Sequence, residues 1–267
     1  MNFGETDDMK RKEIAEVNGI AELAPGIYSM WLKSSLAAEA EPGQFVGVYP
    51  GDGAHILMRP ISICDVSDDK SKLRLVFRAG GEGTKIISRK APGEGIELLG
   101  MLGNGYDIGA MKGKKVLLLG GGIGIPPMLY LAKSLSSAGI NCISVLGYAD
   151  SNDFLRKEFD EVCHTYTASM DGSIGTKGTV IDALNENMIF ADMVCACGPM
   201  PMLRAVKQLA KDTGMKAYIS LEERMACGVG ACLGCVVKTA KEDHHTHVNN
   251  TRICTEGPVF DAEDVII

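Results

Sequence analysis

Four cysteines have the types and spacing to hold an iron–sulfur cluster. Cys227-Gly-Val-Gly-Ala-Cys232-Leu-Gly-Cys235 is C-x4-C-x2-C, and Cys254 follows after a polar run. This is the plant-type [2Fe–2S] pattern, in which four thiolates hold two irons and two sulfides. The loop has to wrap a compact anion. Gly228, Gly230 and Gly234 suit it, because glycine tolerates positive φ and lets backbone N–H groups approach the sulfurs. Cys254 is expected to close the cage from a later strand. Structural zinc is a competing use of such thiols, but it favours two paired C-x2–4-C knuckles, which one triplet plus a distant Cys match poorly. Disulfides would need an oxidising compartment.

Two further stretches have phosphate-gripping chemistry. Val76-Phe77-Arg78-Ala79-Gly80-Gly81-Glu82-Gly83-Thr84 runs from a strand into a short apolar helix expected to start near Thr84. A Gly-rich turn into a helix N-terminus presents free N–H groups to an anion. In Arg59-Pro60-Ile61-Ser62, Arg59 offers a bidentate grip on a pyrophosphate and Ser62 a hydroxyl for a flavin ring. Alone, each stretch also fits a plain strand start or turn. Downstream, Val116-Leu117-Leu118-Leu119 reads as a buried parallel strand, followed by Gly120-Gly121-Gly122-Ile123-Gly124 and a helix to about Ser137. Leu129, Ala132 and Leu135 fall on one helix face. Strand, glycine loop and helix make a pyrophosphate cradle. Ile125 stands where the strict G-x-G-x-x-G has its third glycine, so the standard fingerprint is not met. The next strand, Cys142 to Gly147, has no Arg at its end for a 2′-phosphate, whereas Asp150 and Asp153 offer carboxylates to ribose hydroxyls, which favours NAD over NADP. A later strand, Asp192 to Cys195, runs into Ala196-Cys197-Gly198-Pro199-Met200 and a helix from Met202 to Lys211.

The elements that must position these residues fall into three stretches. Short strands at Gly26–Ser34, Gln44–Tyr49, Ile61–Val66 and Leu73–Phe77, separated by turn signals such as Glu41-Pro42-Gly43, suggest an antiparallel barrel. The middle alternates strand and helix, as a parallel α/β layer does. The expected fold class is therefore multidomain, β plus α/β: a barrel domain over residues 1–109, a nucleotide-binding α/β domain over 110–214, and a small cluster module over 215–267. In that module Cys235–Thr239 is expected to pair with Thr251–Thr255. The polar connection between them, with His244, His245 and His247, is expected to be solvated.

The chain has 267 residues, of which 46% are apolar, enough for a substantial core. Its formal charge of −7 argues against a nucleic-acid partner. No apolar run is long enough to cross a bilayer, and Met1–Glu16 lacks a signal-peptide core, so a cytoplasmic protein with reduced cysteines is expected. Outside the cluster motif, Cys64, Cys142, Cys163 and Cys195 are expected as small buried hydrophobes.

In this order the motifs resemble the ferredoxin reductase-like flavoprotein family. The resemblance implies that Arg59, Pro60, Ile61 and Ser62, with Val76, Phe77, Arg78, Gly83 and Thr84, hold FAD. It implies that Gly120, Gly121, Gly122 and Gly124 hold NAD, and that Cys197 and Gly198 contact the nicotinamide and flavin. Many members have an aromatic ring where Ile61 stands. Gly100 to Gly105 resembles the family's barrel-closing turn. Leu221-Glu222-Glu223-Arg224-Met225-Ala226, leading into Cys227, and Cys254-Thr255-Glu256-Gly257-Pro258-Val259-Phe260 are similar to the electron transfer subunits of NAD-linked (class 1B) dihydroorotate dehydrogenases. Only the first dozen residues and a long polar insert at 241–250 fall outside this likeness. It implies electron flow from the FMN of a dihydroorotate-oxidising catalytic subunit through [2Fe–2S] and FAD to NAD, in pyrimidine (UMP) biosynthesis, within a heterotetramer of two copies of each subunit. Hydride transfer needs no acid–base pair, and the sequence offers no convincing one. The alternatives are a reductase subunit of transhydrogenase or sulfite reductase type, and a zinc-stabilised nucleotide-binding module.

Overall fold

The computed structural model describes residues 10–242 and 247–267. His244 and His245 of the connecting loop lie outside them, while His247 is exposed beside Glu242. Six strands close an antiparallel barrel: β1 (Arg11–Ala24), β2 (Ile27–Lys33), β3 (Phe45–Val48), β4 (Arg59–Val66), β5 (Lys72–Arg78) and β6 (Gly95–Leu102), with helix α1 (Glu82–Ile87) between the last two. The order around the barrel is β1-β2-β5-β4-β3-β6, and β6 pairs back onto β1. Branched and aromatic residues favour these strands because they fill a half-buried pleated face. Val17, Met30, Leu32, Val46, Ile63, Leu75 and Leu98 meet in the interior.

Two of the six strands have no clear sequence signal. Strand β1 is 14 residues long, but only Ala15 and Val17 are buried, and its register shifts between Val17 and Gly19. Strand β6 includes Gly100 to Leu102, so the expected closing turn is strand as far as Leu102 and turns only at Gly103. Helix α1 starts at Glu82, two residues before the expected Thr84.

The nucleotide layer follows: β7 (Val116–Gly121), α2 (Ile125–Ser137), β8 (Cys142–Tyr148), α3 (Arg156–Asp160), β9 (His164–Ser169), β10 (Thr176–Lys177), α4 (Val180–Glu186), β11 (Met193–Cys197), α5 (Met200–Thr213) and β12 (Lys216–Ser220). The last elements are β13 (Val236–Thr239), β14 (Asn250–Arg252), β15 (Val259–Asp261) and β16 (Val265–Ile266). The large sheet runs β10-β9-β8-β7-β11-β12-β15, parallel except for the antiparallel edge strand β15. Its strand order reverses between β7 and β11, which opens a crevice at their carboxyl ends. The expected boundary at residue 214 runs through this sheet, since β12 pairs with β11 and β15 pairs with β12.

The cluster module itself is the small sheet β14-β13-β16. Strand β14 ends at Arg252, so Cys254 lies on the turn beyond it and not on the expected strand. Leu129, Ala132 and Leu135 of α2 are fully buried, as their spacing predicts. Cys64, Cys142 and Cys195 are buried too, but Cys163 is only half-buried, because its thiol joins a polar group with the Ser144 and Thr165 hydroxyls.

Candidate functional site

A cleft of about 470 Å³ opens where barrel, nucleotide layer and cluster module meet. The barrel contributes Phe45, Pro60, Ile61, Ser62, Val76, Phe77, Arg78 and Thr84. Ile123 and Pro127 come from the glycine loop and the start of α2. The third wall is Leu221 to Met225, the segment that runs into the cysteine loop. Seven of the residues named from the Arg-Pro and Gly-rich motifs therefore share one cavity, brought there by the neighbouring strands β4 and β5.

Arg59 and Gly83 adjoin the lining residues Pro60 and Thr84 in the chain but do not themselves line the cleft. The Arg59 guanidinium lies over Gly83: a Cβ there would stand 2.5 Å from its Nε and Nη2. Only glycine lets the cation rest on the first turn of α1. Arg59 Nη1 donates to the Leu57 carbonyl at 2.7 Å. Thr84 sits in the first turn of α1; its hydroxyl accepts from Gly81 N at 3.1 Å and donates to Gly81 O. Arg78 is exposed and reaches across the cleft, its Nη2 4.0 Å from where a Gly122 side chain would begin. The fit to a flavin dinucleotide is good: an apolar slot with Ser62 inside it, and a cationic grip beside a glycine helix start.

The glycines of the loop are needed for close approach. Gly122 has φ +53°. A Cβ on Gly121 would meet Met202 Sδ at 2.6 Å, and one on Gly124 would fall onto the Cys197 carbonyl and the Gly198 nitrogen. Register pairs Gly120 with Cys197, so the loop and the Cys-Gly-Pro turn meet at the strand-order reversal. Cys197 itself does not line the cleft. Its side chain is fully buried, and burial pushes the thiol well above its usual range. Its backbone and Gly198 close on Gly124, so the turn that carries the expected contact packs directly against the glycine loop.

The cysteine loop is built to receive a cluster. Gly228 and Gly230 have φ of +71° and +80°, which curls the backbone so that its amides face inward. Cys232 N donates to Cys227 Sγ and Gly234 N to Cys232 Sγ, each at 3.4 Å. Burial pushes the Cys227 thiol up, but the backbone N–H groups of Val229, Cys232 and Ala231, together with the Cys232 thiol, outweigh it and lower it to about 7. Cys235 and Cys254 are buried, and burial with the neighbouring Cys235 raises Cys254 to about 12. Among the described residues, no three His, Cys, Asp or Glu side chains gather tightly enough for a single metal ion. Thiolates surrounded by inward amides suit a larger anionic group, whose charge those amides stabilise.

Sequence reasoning missed several contributors, of which three stand out. Met58, 1% exposed, wedges between barrel and cluster module: a Cβ on Gly47 or on Gly228 would strike its thioether. Phe45 enters the cleft from β3. Glu222, an exposed residue, lines the cleft. Only its adjacency to the cysteine loop pointed there. Asp150, at the end of β8, is held in a local turn by Asn152, and Asp153 faces Arg156 at 3.5 Å.

Comparison with known proteins follows the same division. Residues 222–266 match the iron–sulfur cluster binding domain of dihydroorotate dehydrogenase B, and residues 118–208 the oxidoreductase NAD-binding domain. A dihydroorotate dehydrogenase B (NAD(+)) electron transfer subunit from Bacillus velezensis is 40% identical over 97% of this chain and 100% of its own length. One from Fusobacterium nucleatum is 42% identical over 92% of this chain and 95% of its own. The solved structure of an NADH-dependent reduced ferredoxin-NADP oxidoreductase superposes with a TM-score of 0.85 at 28% identity, covering 95% of this chain and 90% of that one. A ferredoxin NADP+ reductase from Neisseria gonorrhoeae with bound FAD and NADP shares the fold, with a TM-score of 0.65 at 14% identity over 80% of this chain and 94% of that one.

Proposed function

The chain belongs to the family of dihydroorotate dehydrogenase B (NAD(+)) electron transfer subunits, and from that premise we propose how its residues do this work. It serves a catalytic partner subunit, passing electrons by way of [2Fe–2S] and FAD to NAD in pyrimidine biosynthesis. One observation carries the reading: a single cleft is walled by the flavin-type strands, the nucleotide loop and the approach to the cysteine loop. Bound there, FAD supplies the exchange between the paired electrons of a hydride and the single electrons of a cluster.

The residues of the chain bind, orient and exclude water. Arg59 and the Gly83–Thr84 turn grip the pyrophosphate. Ser62 faces the flavin ring, and Pro60, Ile61, Val76, Phe77 and Arg78 wall its slot. Gly120, Gly121, Gly122 and Gly124 let the dinucleotide approach the sheet, and Gly198 leaves room at the nicotinamide end. Cys227, Cys232, Cys235 and Cys254 hold the cluster, and Met58 keeps that loop against the barrel. Hydride transfer needs no acid–base pair, and the residues named do none of that chemistry. We assign the barrel to residues 1–109, the nucleotide domain to 110–214 and the cluster domain to 215–267, with β12 and β15 tying the last two together.

The partner is an FMN-containing dihydroorotate dehydrogenase catalytic subunit, in a heterotetramer of two copies of each. It docks on the cluster side. Cys232 is exposed there, with Val229 and Leu233 on the same loop, and Ile56 and Leu57 adjoin the Met58 wedge; all four apolar residues are exposed. A solvent-facing apolar patch of this kind marks an interaction surface. Among the described residues no helix is long and apolar enough to cross a membrane.

The test is anaerobic reduction by NADH followed optically, with flavin, iron and sulfide counted. The expected result is bleaching of a yellow chromophore and of the cluster bands together. A colourless protein with stoichiometric zinc overturns the cluster. Stable copurification with a transhydrogenase or sulfite reductase subunit, in place of a dihydroorotate-oxidising flavoprotein, overturns the partner.

A further inference from the structure

Behind the cleft, four charged side chains alternate in sign across the contact between barrel and nucleotide layer. Asp65 on β4 and Arg74 on β5 are cross-strand partners on the barrel wall. Lys133 of α2 donates to Asp65 Oδ2 at 2.5 Å. The Arg74 guanidinium donates to Glu158 Oε2 of α3 at 2.5 Å, and Lys133 lies 3.7 Å from the same carboxylate. Arg74 is further held by the Ser29 hydroxyl at 2.9 Å and lies over the Trp31 ring. The side chains of Arg74 and Asp65 are each 9% exposed, so solvent and salt screen these pairs only weakly.

Three of the four elements bearing these charges, β4, β5 and α2, also build the cleft. Strand β4 carries Arg59 to Ser62 at one end and Asp65 near the other. Strand β5 carries Arg74 and then Val76 to Arg78. Helix α2 begins at the glycine loop, and Pro127, Tyr130 and Lys133 follow three apart down one face. Pro127 lines the cleft, the Tyr130 hydroxyl donates to the Ala40 carbonyl of the barrel at 2.7 Å, and Lys133 ends on Asp65. The same rigid pieces therefore run from the ion cluster to the cofactor-facing residues.

We propose that the Asp65–Lys133–Glu158–Arg74 cluster is a positioning device that sets how closely the nucleotide loop approaches the flavin strands. This rests on the function proposed above and deepens it. All four side chains lie outside the cleft and touch no cofactor; they act through α2, β4 and β5. Hydride transfer requires close contact of donor and acceptor, and a misplacement of about 1 Å from a remote change can cost roughly a hundredfold in rate.

The experiment uses the holoprotein and two variants at half-exposed positions, Glu158→Gln and Lys133→Met. Wild type must first hold flavin and cluster and be reduced by NADH; if it does not, the functional reading fails before the variants are considered. The expected result is a kcat for NADH oxidation by a one-electron dye down about tenfold or more, with KM for NADH unchanged, because the dinucleotide half-site stays intact. The long-wavelength band of nicotinamide stacked on flavin should weaken, flavin and iron content should hold, and Lys133→Arg should restore both rate and band. Unchanged kcat and band in both variants overturns the proposal. So does a rate that falls only in proportion to lost flavin, which marks a merely structural role.

Discussion

The substitution Gly83→Ala separates binding from stability in opposite directions. The added methyl would stand 2.5 Å from Arg59 Nε and Nη2 and 2.6 Å from Cζ, so the guanidinium must swing away. The three atoms nearest the methyl all belong to Arg59, the end of a flexible side chain and not backbone. Helix α1 itself benefits, since Ala exceeds Gly in helix preference by up to about 1 kcal/mol. Apoprotein melting temperature should hold or rise. FAD affinity should fall, because a hydrogen bond from a charged donor is worth about 1.5–3 kcal/mol. At about 1.4 kcal/mol per factor of ten, that is roughly a 10- to 150-fold weaker Kd. The assay is titration of deflavinated protein with FAD, followed by quenching of flavin fluorescence. Arg59→Ala should give a similar loss, and the double variant no more than either alone, since both remove one interaction. A Gly83→Ala protein that binds FAD within about twofold of wild type, or whose loss adds fully to that of Arg59→Ala, refutes the assignment of Arg59 and Gly83 to one phosphate grip.

Other perturbations read other parts of the molecule. Cys232→Ser should strip or shift the cluster absorbance while FAD remains bound; an unchanged cluster spectrum removes Cys232 from the ligand set. Gly124→Ala pushes a methyl into the Cys197–Gly198 backbone, an overpacking cost of about 1–3 kcal/mol, so melting temperature and NADH-driven flavin reduction should both fall while cluster absorbance persists. Leu233→Asp, at an exposed position beside the cluster, should weaken copurification with the catalytic subunit without loss of flavin or iron. Undiminished association moves the docking face elsewhere.

Local motifs were legible because their geometry closes over a few residues. The cysteine spacing marked a loop whose amides do face the thiols, as Cys232 N and Gly234 N illustrate. Strand β7, the glycines and α2 read correctly as one unit, since its apolar run and the periodicity of Leu129, Ala132 and Leu135 belong to adjacent turns. Strand β1 was not legible: it is polar, mostly exposed, and acquires its order from pairing with β2 and β6. The burial of Cys197 was not legible for a related reason. Chain position put it at the strand end by the nicotinamide site, but the side to which its thiol points depends on the register of β11 with β7 and β12.

Residue types and their spacing were thus enough to assign the chemistry: thiolates for a cluster, an Arg and glycines for pyrophosphates, a second glycine loop for a dinucleotide. Chain folding alone decided that these meet. Leu221–Met225 became a cleft wall because β12 joins the nucleotide sheet, and Met58 became the wedge against Gly228 because the barrel closes beneath the cluster loop. Asp65, Arg74, Lys133 and Glu158, carrying no motif, became one charged cluster across the barrel contact. Contacts between residues far apart in the chain depend on sheet order and register, and no short stretch of sequence encodes those by itself.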